Sequence, residues 1–262
     1  MPTPTATTLL HDPWFLIAAT FAVVLLGLAK GGLSGLGALA TPILAQVVSP
    51  VAAAAILLPI LVVQDAVSVW SFRHSWDRWI VGWMLPGALV GVGVGWVFAA
   101  VLPVVAVMAA LGIISMGFGL WRLWIERGGR TVAASRSPGW VGTLFGMVAG
   151  FTSQIAHAGG PPFQMWVTPR RLPHQTYVGT NSVLFAIVNW AKVPAYVALG
   201  AFAGGTLTVS AAMLPLAIGS TLLGVWIIRR MDPSRFYIIV YLLMIVLGVK
   251  LLIDAMGHAG WL

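Results

Sequence analysis

Two glycine-rich stretches interrupt otherwise apolar runs, Lys30-Gly-Gly-Leu-Ser-Gly-Leu-Gly37 and Thr152-Ser-Gln-Ile-Ala-His-Ala-Gly-Gly160. Irregular backbone in an apolar medium survives only where protein or a watery cavity satisfies it. A helix that resumes after such a break offers free N–H groups and a positive dipole end, both favourable to an anion. Gly32, Gly35, Gly37, Gly159 and Gly160 let backbone approach a ligand closely, and Ser34, Ser153 and Gln154 add neutral donors. His157 could bind an anion or carry a proton near neutral pH. Plain helix packing for the glycines, and a satisfied buried imidazole for the histidine, are the alternatives.

Ionisable groups inside apolar runs carry the next signal. An ammonium in hydrocarbon is costly, so a lysine there needs a partner or a purpose. Lys30 lies deep in the first run and Lys192 near the middle of the sixth, and both are candidates for attracting an anion. Lys30 could instead offset the C-terminal end of its own helix or pair with Asp65. Asp65 is the one carboxylate well inside a run and, with His157, a candidate for ion or proton coupling. Lys250 and Asp254, four apart near a helix end, read as a local ion pair. Gln64 and Asn189 occupy matching places in the two halves, and Thr180 and Asn181 open the sixth run. Such amides and hydroxyls either contact a substrate or bridge helices.

A serine and a histidine on two broken helices would also suit nucleophilic catalysis. Gly32-Leu-Ser-Gly35 and Ala156-His-Ala-Gly-Gly160 resemble the motifs of rhomboid intramembrane proteases. Rhomboids, however, place a His/Asn helix before the serine, and here only His11 precedes Ser34. The non-enzyme reading is preferred, with no catalytic residue, cofactor or metal site expected.

The elements that must position these residues follow from composition. Sixty per cent of the 262 residues are hydrophobic, 8% are charged, and mean hydropathy is +0.97. A soluble domain needs far more charge to cover itself, so apolar surface must face lipid. Thirteen tryptophans suit the headgroup interface. The absence of cysteine excludes disulfides, thiolate metal sites and cysteine catalysis. The formal charge of +8 does not imply nucleic acid, because every arginine lies in one of four connectors and every lysine in an apolar run. The lipid bilayer and a small anionic substrate are the expected partners, and homo-oligomerisation stays open.

Apolar runs fall at 14–48, 50–72, 77–101, 104–125, 139–168, 177–202, 206–228 and 236–256. Six approximate the roughly 20 residues that cross a bilayer. The runs 14–48 and 139–168 are too long for one crossing and contain the glycine-rich breaks. Arg73 and Arg78, then Arg122 to Arg136, Arg170 and Arg171, and Arg229 to Arg235 mark the cytoplasmic connectors if positive means inside. Each long run must then begin and end on one side, as a hairpin of two arms of roughly 14–17 residues, about 21–26 Å each, either re-entrant or two short full crossings. The first opens outside and the second inside. A multi-pass protein of the bacterial cytoplasmic (inner) membrane is expected, with both termini periplasmic.

The halves also share a faint self-similarity. Gly27-Leu-Ala-Lys-Gly-Gly answers to Gly146-Met-Val-Ala-Gly, and Pro42 to Pro161 at the same offset. Met84-Leu85-Pro86 recurs as Met213-Leu214-Pro215, and Gly95 and Gly119 recur as Gly224 and Gly248. The predicted fold is therefore all-α and polytopic, with two inverted-topology repeats at 1–130 and 131–262. Each repeat would hold a broken-helix hairpin and three transmembrane helices, a recurring plan of secondary transporters.

At this level the chain resembles the sulfite exporter TauE/SafE family, also called the toluene-sulfonate uptake permeases. The resemblance rests on Gly35-Leu-Gly37 leading to Thr41-Pro42, on Gly159-Gly-Pro-Pro162, and on Gly179-Thr180 followed by Lys192, Tyr196 and Gly200. It covers nearly the whole length. Two departures are Gly37-Ala38, where the family has a glycine triplet, and His157, where the second copy has glycine. The resemblance implies a permease or exporter for a small sulfur-containing oxyanion or organosulfonate such as sulfite. Alternating access around the two helix breaks is the expected mechanism, with a passive anion channel as the alternative.

Overall fold

The computed structural model describes residues 6–33, 36–48, 50–98, 104–127, 137–156, 159–198, 202 and 205–258. Its helices are α1 (Ala6–Leu10), α2 (Pro13–Gly31), α3 (Ala40–Leu44), α4 (Pro50–Ser71), α5 (Arg78–Phe98) and α6 (Val104–Arg127). They continue with α7 (Gly139–Ala156), α8 (Gly160–Val167), α9 (His174–Ala198), α10 (Thr206–Arg230) and α11 (Pro233–His258). Two 3-10 turns, Leu36–Leu39 and Thr168–Arg170, complete the described elements, none of which is a strand. In lipid every backbone N–H and C=O must be satisfied within the segment, which drives long apolar runs into helices. Among the described residues, five helical stretches are long and apolar enough to cross a membrane: Pro13–Gly31, Ala52–Ser71, Arg78–Phe98, Thr206–Arg230 and Arg235–Gly257. The chain is an all-α membrane protein. Helix α9 has length to spare at about 37 Å but carries Asn181, Asn189 and Lys192.

Both long runs break where the sequence predicts, but not into two like arms. The first arms are helices of 19 and 18 residues, α2 and α7, each about 27–29 Å long. The returning arms are short: a 3-10 turn and the five-residue α3 in one, the eight-residue α8 and a 3-10 turn in the other. The first run therefore does not resume as a half-helix. Asp12 caps α2 by accepting from Trp14 N–H at 3.0 Å, with Pro13 in the first turn. Gly32 ends α2 with φ 136°, and its N–H donates to Ala29 O. That backbone angle strongly favours glycine.

The packing divides into two compact units that cut across the sequence halves. One comprises residues 1–74 and 185–230, the other 75–184 and 231–262. In the first, α2, α3, α4 and α10 bury Phe15, Val23, Leu26, Leu44, Ile56, Leu57, Ile60 and Met213 in one core. Small residues let the helices close. A Cβ on Gly27 would fall 2.0 Å from Ser220 Oγ, and one on Gly31 2.5 Å from Gly224 Cα. Contacts that advance together, 27 with 220 and 31 with 224, make α2 and α10 parallel. Ser210 donating to Ile56 O and Gln64 donating to Ala217 O make α4 parallel to α10 as well.

In the second unit α5 and α7 repeat the device. A Cβ on Gly87 would lie 1.9 Å from Thr143 O, on Gly91 2.0 Å from Met147 O, and on Gly150 1.9 Å from Ala88 O. These helices too run parallel. Helices α6 and α11 are antiparallel, because Gly112 meets Leu252 while Gly119 meets Tyr241 and Ile245. Packing of small residues against facing backbone is the usual source of helix association in lipid.

Candidate functional site

The first unit gathers Lys30, Asp65 and Lys192, three of the ionisable side chains placed in apolar runs by the sequence. Asp65 on α4 is 1% exposed. Lys30 Nζ, at the end of α2, stands 2.5 Å from its Oδ1, and Asn189 Nδ2 on α9 donates to Oδ2 at 2.6 Å. Ser68 Oγ, one helical turn beyond Asp65, donates to Lys30 O at 2.6 Å and so fixes the backbone that carries the ammonium. The same ammonium lies 5.8 Å from the Phe185 ring centre, a cation–π distance. Lys30 is thus neutralised by a carboxylate rather than by its own helix end.

Lys192 is 1% exposed and lies on α9 one helical turn after Asn189, the donor to Asp65. By formal charge the cluster sets two ammonium groups against one carboxylate. Gln64, next to Asp65 and fully buried, donates from Nε2 to Val23 O at 3.2 Å and Ala217 O at 3.5 Å. Its Oε1 has no partner. Gln64 therefore ties α4 to α2 and α10, which is the helix-bridging role. Gly37, in the 3-10 turn, sits where a Cβ would come 3.2 Å from Ala29 Cβ, so it packs the return arm against α2. Ser34 and Gly35 lie outside the described residues.

The second break belongs to the other unit. Ser153 and Gln154 are buried near the end of α7, and Gln154 Oε1 is unpartnered. Gly95 leaves room for the Gln154 side chain, since a Cβ there would meet it at 3.0 Å. Gly159 is the N-cap of α8, without a side-chain cap, and Gly160 opens the helix. The next two residues are Pro161 and Pro162, which have no N–H. This terminus therefore offers an anion fewer backbone donors than a generic helix start. His157 lies outside the described residues, so the serine and histidine of the protease reading are both undescribed.

Thr180 makes the helix-bridging contact, one of the two roles open to it from its position. It accepts from Asp77 N–H at 2.9 Å and donates to Thr176 O at 2.6 Å, while Asp77 Oδ1 caps Ile80 N–H. The hydroxyl fastens α9 to the start of α5. Asn181 beside it is half-buried. Lys250 and Asp254 form the expected i, i+4 ion pair on α11.

Two features escaped the sequence reading. Arg170 lies over Trp166 at 4.0 Å and Trp79 at 4.8 Å, and it donates to Ser137 O at 2.6 Å. Burial lowers its pKa from the ordinary value, against the raising effect of Asp77. The arginine works as a clasp at the base of the second hairpin. The other feature is Gln164 on α8, fully buried with neither amide atom partnered. Its only sequence signal was one polar residue in an apolar run.

No curated protein and no solved structure matches the chain. The family model for the sulfite exporter TauE/SafE matches residues 19–251, nine-tenths of the length. Its helix breaks, intramembrane lysines and apolar spans thus sit within a matched region that runs almost from end to end, and the chain belongs to the sulfite exporter TauE/SafE family.

Proposed function

We propose that the protein is a secondary transporter for a small sulfur-containing oxyanion or organosulfonate such as sulfite, working by alternating access in the bacterial cytoplasmic membrane. One observation carries the reading: two lysines lie inside the first unit, Lys30 paired with Asp65 and Lys192 buried on α9 one turn after Asn189, which donates to the same carboxylate. Burial of an ammonium in an apolar protein is costly and marks the lysine as functional, and a small anion is the cargo that its charge favours. Membership of the family supports sulfur as the central atom.

The inverted repeat belongs to the same proposal. Helix α2 packs parallel to α10 in one unit as α7 packs parallel to α5 in the other. These pairs interchange when the halves are exchanged, as duplicated halves would require. In this reading Lys192 attracts the cargo, and Lys30 and Asp65 set the local charge, with Asp65 a candidate to exchange a proton during the cycle.

The deciding experiment is flux of labelled sulfite, sulfate and a sulfonate into proteoliposomes. Saturable uptake with counterflow is expected, and its loss in Lys192→Ala with folding retained. Normal flux in that variant would refute the charge role, and linear flux without counterflow would indicate a channel.

A further inference from the structure

We infer that Gln164 is a substrate-contacting residue, its amide donating to an oxygen of the transported oxyanion as the anion passes the second hairpin; this rests on the transport reading above. Gln164 is 0% exposed, and both Nε2 and Oε1 lack a partner. A buried amide that leaves both groups unmade is costly, whereas an apolar side chain of similar shape there would be neutral or stabilising. A stability role therefore does not account for an amide at this place. A ligand with acceptor oxygens does.

Its location gives the ligand class. Gln164 lies on α8 one helical turn after Gly160, and side chains on a helix generally lean towards the turn on their N-terminal side. That is the terminus where Pro161 and Pro162 withhold two of the first four backbone N–H groups. The dipole still favours negative charge, but the donors that would grip it are depleted. Two amide hydrogens from Gln164 supply what the prolines remove. Nearby in sequence, Gln154 Oε1 at the end of α7 is also buried and unpartnered, and α7 packs on α8. An acceptor there suits an oxyanion carrying a proton, such as hydrogensulfite, better than a fully deprotonated one.

The test uses Gln164→Leu, Gln164→Glu and the wild type in proteoliposomes, with labelled sulfite as probe, and unfolding of each in detergent. Gln164→Leu should raise KM for sulfite about tenfold or more, the value of a hydrogen bond to a charged group, while unfolding as late as the wild type or later. Gln164→Glu, of the same size but without donors and with a negative charge, should abolish uptake. An unchanged KM in Gln164→Leu overturns the inference and leaves the transport reading standing. So does a Gln164→Leu protein that is clearly less stable at unchanged KM, since that marks a structural amide. Absence of sulfite, sulfate and sulfonate flux in the wild type overturns both.

Discussion

Replacing Asp65 with Asn removes the carboxylate that faces Lys30 while keeping the size of the side chain and an acceptor for Asn189. At 2.5 Å and an effective dielectric of ~20, the lost attraction is ~7 kcal/mol. Desolvation of the two ions takes much of this back, and breaking a buried pair from one side costs about 3–5 kcal/mol in practice. The loss should fall at the high end, because Lys192 then shares the site with an unbalanced Lys30. The measurement is unfolding by SDS titration in mixed micelles, followed by circular dichroism. Lys30→Met in the same chain removes the stranded ammonium and should return the double variant to within about 1–2 kcal/mol of the wild type, since apolar replacements of buried pairs are tolerated. If the double variant is as unstable as Asp65→Asn alone, the pair is not what holds α2 to α4, and the charge accounting of the site fails with it.

Gly150→Leu should prevent α7 from closing on α5, because its Cβ would sit 1.9 Å from the Ala88 carbonyl oxygen. A loss of about 3 kcal/mol or more is expected in the same titration, against little change for Gly93→Ala, which has nothing within 4 Å. Arg170→Ala should cost about 1–2 kcal/mol through its lost contacts with Trp166 and Trp79, and Arg170→Lys should not restore them fully because the ammonium lacks a planar stacking face. Single cysteines introduced near Ser49 and Pro173, in a chain that has none of its own, should react with an impermeant thiol reagent from opposite sides of the membrane. Labelling from one side would refute the inversion.

Much of the framework was legible in the order of residues alone. The all-α membrane class, the helix positions and the two breaks follow from apolar run length, glycine placement and the backbone's need for hydrogen bonds in lipid. Those are local constraints, and local sequence expresses them. The unequal arms of the hairpins were less legible, since Pro42 and the Pro161–Pro162 pair restrict the return segments only in the context of what packs on them. What the tertiary structure alone decided is partnership. Lys30 could have capped its own helix, and the chain brings it to Asp65, 35 positions away in sequence, while Asn189 reaches the same carboxylate from the other half. Thr180 became a joint between helices, and Gln164 emerged as a buried amide without a partner. Apolar patterning says that a polar group is inside, but only the packing of distant segments determines whether another group is there to meet it.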